Sequence, residues 1–104
     1  ETTALALPEI DFVPRDGLIT ISGRVIGIED GTVTAILVVD KNDENGSVRS
    51  RQGRDINVRS GSDEIIAETH LSANKGLKVS VTLTLMSGDF EIGSSSTTLD
   101  FSKY

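Results

Sequence analysis

The chain has 104 residues, 37% of them hydrophobic and 25% charged, with a mean hydropathy of -0.08; these values exclude a membrane-helix bundle, a fibrous repeat and a disordered polyampholyte. Lys and Arg number 10 against 16 Asp and Glu, a net charge of -6, and the pI near 4.6 argues against duplex nucleic acid or an anionic membrane as partner. With no cysteine, disulfides, thiolate zinc sites and thiol catalysis are all excluded.

The chain opens Glu1-Thr2-Thr3, with neither a charged leader nor an apolar signal core after it, as a mature exported domain does once its signal is cleaved. A domain excised from a longer protein would open in the same way. Residues 1–7 read as a flexible N-terminal segment, and 8–104 as a single domain.

Val, Ile and Thr are abundant, and these β-branched residues favour strands. Glycines at 17, 31, 46, 61, 76 and 88 divide the chain into strand-length or hairpin-length segments. The first strand is expected over Glu9 to Val13, bracketed by Pro8 and Pro14 and therefore either at a sheet edge or quickly ended. A second runs from Leu18 to Ile28, with Ile19, Ile21 and Val25 on one face and a bulge near Gly23 or Gly27 that turns Ile26 and Ile28 inward. The third, Thr32 to Val39, is central: Val33, Ala35, Leu37 and Val39 share a face, with Ile36 and Val38 on the other. A polar loop over Asp40 to Gly46 ends in the turn pair Asn45-Gly46.

Two short polar strands follow, near Val48 to Gln52 and Asp55 to Arg59. Glu64 to Ala73 alternates Ile65, Ala67, Thr69 and Leu71 as a strand, although Ser62-Asp63-Glu64 also suits a helix start. Leu77, Val79, Val81, Leu83 and Leu85 make the cleanest half-buried strand, turned by Ser87-Gly88-Asp89. A last strand or strand pair carries Phe90, Ile92, Leu99 and Phe101. The expected fold is all-β, an immunoglobulin-like sandwich of about seven antiparallel strands around one core.

No motif builds an active site. Asp40, Asn42 and Glu44 mimic the first calcium-loop spacings, but Asn45 stands where the loop needs Gly and Arg51 where it needs a bidentate Glu. Ser72-Ala73-Asn74-Lys75 matches a Ser-x-x-Lys pattern without its companion motifs. The lone histidine, His70, faces away from the apolar row of its strand and cannot build a multi-histidine metal site. Asn45-Gly46-Ser47 is a formal glycosylation acceptor, and no phosphate-binding glycine loop is present. No catalytic residue, metal site or cofactor is expected.

Charge placement is more informative. In Gly46-Ser47-Val48-Arg49-Ser50-Arg51-Gln52-Gly53-Arg54, three arginines fall together within an acidic molecule. On an extended strand Arg49 and Arg51 project from the same face. The stripe can serve as a binding surface, or its charges can simply keep an edge strand from pairing with other chains.

Gly46 to Gly53, the polar-apolar Asp55-Ile56-Asn57-Val58, the strand ending His70-Leu71 and the Leu77 to Met86 strand together resemble the curli chaperones of the CsgC/CsgH type, the CsgH branch in particular. The resemblance extends from about Ile19 onward. It implies a periplasmic sandwich domain that holds the major curli subunit in a non-amyloid state without ATP. The Cys-x-Cys of the CsgC branch would fall near Thr32 to Thr34, so no redox role carries over. The client-binding residues expected are Arg49 and Arg51, with Ser50, Gln52 and Arg54 beside them; the protein is expected to be a monomer and not an enzyme. The competing expectation is a structural or adhesive β-sandwich module of a larger exported surface protein.

Overall fold

Seven strands make up the regular structure of the computed structural model, which describes residues 5–101. They are β1 (Ala6–Arg15), β2 (Leu18–Gly27), β3 (Gly31–Asp43), β4 (Gly46–Val58), β5 (Asp63–Ser72), β6 (Lys78–Ser87) and β7 (Phe90–Asp100). One sheet has the order β1-β2-β5 and the other β4-β3-β6-β7, with every pairing antiparallel. This is an immunoglobulin-like sandwich in which the fourth strand pairs with the third rather than joining the smaller sheet. Thirteen-residue strands span about 43 Å at 3.3 Å per residue, which accounts for the 45 Å long axis.

Alternation supplies the core. Val33, Ala35, Leu37 and Val39 of β3 and Val79, Val81, Leu83 and Leu85 of β6 face Ile19, Ile21 and Val25 of β2, and all are buried. The central position of β3 follows, because it is paired on both sides. β1 is the edge strand expected, but it runs through both prolines, with Pro8 opposite Val25 and Pro14 opposite Ile19. An edge tolerates them because alternate backbone nitrogens face away from the neighbouring strand. Ala6 and Leu7 belong to this strand, and Ala6 is fully buried; residues 1–4 and 102–104 lie outside the described residues.

Asp16 and Gly17 turn β1 into β2 with φ of 51° and 79°. Positive φ at both central residues matches the twist of the flanking strands, and Asp-Gly is well suited to it.

Several expectations are corrected. The span Asp40 to Gly46 is not a loop: β3 continues to Asp43, which pairs with Gly46, leaving a two-residue turn at Glu44 and Asn45. The two short polar strands are one, since β4 pairs with β3 without interruption from Gly46 to Val58, passing Gly53 opposite Ile36. Three strands lie over four, and only Ile56 and Val58 of β4 are buried. The rest of its inward-facing row can therefore be polar, which is why the sequence shows no apolar alternation there.

The bulge lies where β2 meets β5, but it shifts β5 rather than β2. Gly23 pairs with Ala67 and Arg24 with Ile65, leaving Ile66 as the extra residue. Ile65 is consequently 55% exposed and Ile66 only 6%, so Ile65 leaves the expected row while Ala67 and Leu71 stay packed on the core. Val25 stays in the core and Ile28 is exposed, so Ile26 and Ile28 do not turn inward. β5 is a strand, not a helix. β7 is one strand with its own register shift beside Met86; Ile92 packs on the core, whereas Phe90 is exposed.

Candidate functional site

β4 is an edge strand, so its outer face and one backbone edge meet solvent. Residues directly opposite one another in a sheet share a face, and the register assigns each candidate side chain. Arg49 stands in a row with Asp40, Ser80 and Thr98, and Arg51 in a row with Val38, Thr82 and Ser96. Both arginines therefore lie on the outer face of the four-stranded sheet, as the period of two requires. Arg49 is exposed, its Nε 3.7 Å from Asp40 Oδ1. That pair is loose and solvated, so it leaves the guanidinium available to another carboxylate. No carboxylate among the described residues pairs with Arg51.

Behind these cations the face carries Ile36 and Val38 and then two rows of hydroxyls. Ser80 and Thr98 share a hydrogen bond of 3.3 Å and Thr82 and Ser96 one of 3.1 Å. Thr34 donates to Asp55 at 2.6 Å and Thr32 to Asn57 at 2.9 Å. The surface is a hydrogen-bonding platform with Arg49 and Arg51 along one margin, beside Asp40 and Asp55. It can attract and align an extended acidic or amide-rich chain.

Ser50, Gln52 and Arg54 are opposite Val39, Leu37 and Ala35 and so face the other way, toward the smaller sheet. Gln52 Nε2 donates to Thr69 Oγ1 at 3.3 Å, and Arg54 Nη1 donates to the Ile66 carbonyl at 3.4 Å. These two side chains bridge β4 and β5 where the sheets leave polar groups between them. The five expected residues thus divide into an outer pair and an inner trio. The odd spacing of 50, 52 and 54 from 49 and 51 already implies this division. Val38, Thr82 and Ser96, which complete the outer rows, could not be found without the register of strands far apart in sequence.

The opposite outer face, on the three-stranded sheet, has different electrostatics. Arg24 Nε donates to Asp11 at 2.6 Å and its Nη1 to Asp63 at 2.7 Å, with Glu9 at 4.0 Å. The hydrogen bond to Asp11, and then that to Asp63, raise the pKa of the guanidinium. Glu68 accepts a hydrogen bond from Ser22 at 3.4 Å, and Thr20 and His70 share one of 3.0 Å. This face is acidic, and Arg24 on it is already paired.

A third cluster ties two loops. The Asp43 carboxylate, only 4% exposed, accepts from Asn74 Nδ2 at 3.1 Å and the Asn45 amide at 2.8 Å, with Lys41 at 3.4 Å. The Asn74 hydrogen bond, then that from Asn45, lowers its pKa. These groups are satisfied by one another. Among the described residues no three His, Asp or Glu side chains form a metal-binding group, and no helix is long and apolar enough to cross a membrane.

Comparison with solved structures identifies the architecture. The solution structure of R. palustris CsgH matches over 93% of this chain and 93% of its own, with a TM-score of 0.71 and 18% identity. The E. coli curli protein CsgC matches over 88% of this chain and 96% of its own, with a TM-score of 0.76 and 11% identity. The chain has the CsgC/CsgH fold. The same sandwich also matches 14% of a calcium-binding mutant of Bacteroides uniformis β-glucuronidase 2, covering 93% of this chain at a TM-score of 0.61 and 13% identity. No protein-family model and no curated protein matches the sequence. Thr32 and Thr34 lie on the outer face of β3, hydrogen-bonded to β4.

Proposed function

We propose that this protein is a periplasmic, ATP-independent chaperone that delays amyloid formation by the major curli subunit, and that Arg49 and Arg51 are its principal client contacts. The observation that carries this reading is the shared fold with CsgH and CsgC across nearly the whole of all three chains. Fold alone does not assign function, so the surface has to supply a mechanism.

Amyloid subunits grow by adding strands to exposed edges. Here the edge strand β4 carries outward cations, and Arg54 is directed inward; both devices resist strand addition. An acidic, unfolded subunit is drawn to Arg49 and Arg51 and lies along the hydroxyl rows of β6 and β7. The chain's net charge of -6 repels further subunits and keeps the complex from growing. Contacts through two solvated arginines are weak and short-lived, as release without an energy source requires. The roles of Ser50, Gln52 and Arg54 in this account are indirect, through the packing of β4 on β5.

The test is a dye-monitored fibrillation curve of the curli subunit with this protein at about one-hundredth of the subunit concentration, too little to capture monomers one for one. A greatly lengthened lag is expected. An unchanged curve there and at equimolar protein overturns the proposal. The same sandwich occurs as 14% of a β-glucuronidase; the second reading is a structural or adhesive β-sandwich module of a larger exported surface protein, and that negative result would support it.

A further inference from the structure

At one end of the sandwich the β1-β2 hairpin, the loop between β5 and β6 and the residue after β7 enclose a cleft of about 460 Å³, within the size range of small-ligand and short-peptide sites. Its wall includes Pro14, Arg15, Leu18, Ala73, Lys75 and Phe101. Leu18 and Phe101 are large hydrophobic side chains left exposed, 47% and 41%, whereas Ile19 beneath them is buried.

The walls are held in place by backbone hydrogen bonds. The Ala73 amide donates to the Gly17 carbonyl at 2.8 Å, fastening the hairpin to the loop, and the Phe101 amide donates to the Leu77 carbonyl at 2.8 Å. On the loop's far side, Asn74 is anchored to Asp43. The cleft is therefore formed before any ligand arrives, which limits the ordering cost of binding.

The cleft also carries two cations. Arg24, Lys41 and Arg49 each pair with a carboxylate. Among the described residues no carboxylate pairs with Arg15 or Lys75, although acids outnumber bases 16 to 10 in this chain. Among the described residues Asp16 is the one acidic residue on the cleft wall. An apolar wall with two unpaired cations at its rim complements a ligand in which an apolar side chain and a carboxylate are neighbours. The cleft is open to solvent and short, which suits one or two side chains of an extended chain better than an acyl tail.

We propose that this cleft is a second binding site, for an acidic peptide segment that inserts an apolar side chain against Leu18 and Phe101 and pairs its carboxylates with Arg15 and Lys75. The site lies apart from the outer face of β4 and does not rest on the chaperone reading.

The experiment is a titration of the 15N-labelled protein with acetylated, amidated Phe-Glu-Phe-Glu, followed by amide chemical shifts, with Phe-Gln-Phe-Gln and decanoate as comparison ligands. Saturable shifts are expected at residues 15–18, 73–76 and 101, and the Gln peptide is expected to bind about tenfold more weakly. The R15E/K75E variant should lose a similar factor with an unchanged melting temperature, while R49E/R51E should bind as the parent does. Equal binding of the Gln peptide, undiminished binding by R15E/K75E, or decanoate binding as tight as the Glu peptide overturns the proposal. So does broadening at these residues that depends on protein concentration without peptide, which would place a second copy in the cleft.

Discussion

Arg54 Nη1 donates to the backbone carbonyl of Ile66 across 3.4 Å, so the residue that bulges out of the β2-β5 ladder is held on its other side by an arginine from the opposite sheet. The bulge and the arginine work together. Ile66 fills the core because it is the extra residue, and its carbonyl finds a charged donor.

Removing either half should be measurable in chemical denaturation. R54A loses one long, partly solvated hydrogen bond and should cost about 1 kcal/mol. I66A, which empties a buried site, should cost about 2–4 kcal/mol. I65A, at the exposed neighbour, should fall within about 0.5 kcal/mol of the parent. Equal losses at 65 and 66 would contradict the register shift.

Asp43 gives the acid limb of stability a specific origin. Its folded-state pKa lies below the ordinary carboxylate range because Asn74, Asn45 and Lys41 stabilise the anion. The contribution is therefore full above the ordinary carboxylate pKa and is lost as pH falls through the lowered folded value. D43N and N74A should each lower the melting temperature at neutral pH. In both, the decline toward acid pH should be shallower than in the parent, and an unchanged acid limb would show that other carboxylates govern it.

Two glycines separate tight packing from open space. A Cβ on Gly27 would lie 2.0 Å from the Arg59 carbonyl oxygen, whereas one on Gly53 would meet nothing closer than 3.8 Å. The close approach at Gly27 is made by the turn after β4, whose Gly61 amide donates to the Gly27 carbonyl at 2.9 Å. G27A forces backbone apart and should cost about 3 kcal/mol or prevent folding. G53A should be neutral or slightly stabilising, since an extended strand position gains from reduced unfolded-state freedom. Thermal melts of the two variants check this directly.

The sequence was most legible where one face of a strand is buried along its length. Leu77 to Leu85 and Val33 to Val39 alternate because one face packs against the smaller sheet while the other meets solvent, and the structure places each of these residues as the alternation requires. The prolines of β1 correctly signalled an edge. In sequence β4 reads as two pieces because little of it is covered, so Gly53 looks like a break although it is only a bare position opposite Ile36. Ile65 and Ile66 could not be ordered from sequence, since a one-residue bulge inverts the parity and depends on the partner strand. For the candidate surface, the pairing of Arg49 with Arg51 followed from strand period alone. Their neighbours Val38, Thr82 and Ser96 depend on strand order, which local sequence does not encode.

The proposed client contact separates the outer arginines of β4 from the inner one. The most direct measurement compares the lag of curli-subunit fibrillation in the presence of the parent protein, R49E/R51E and R54Q, each shown to be folded by its melting curve. The prediction is that R49E/R51E loses the delay while R54Q keeps most of it. A double variant that delays fibrillation as well as the parent would contradict the account.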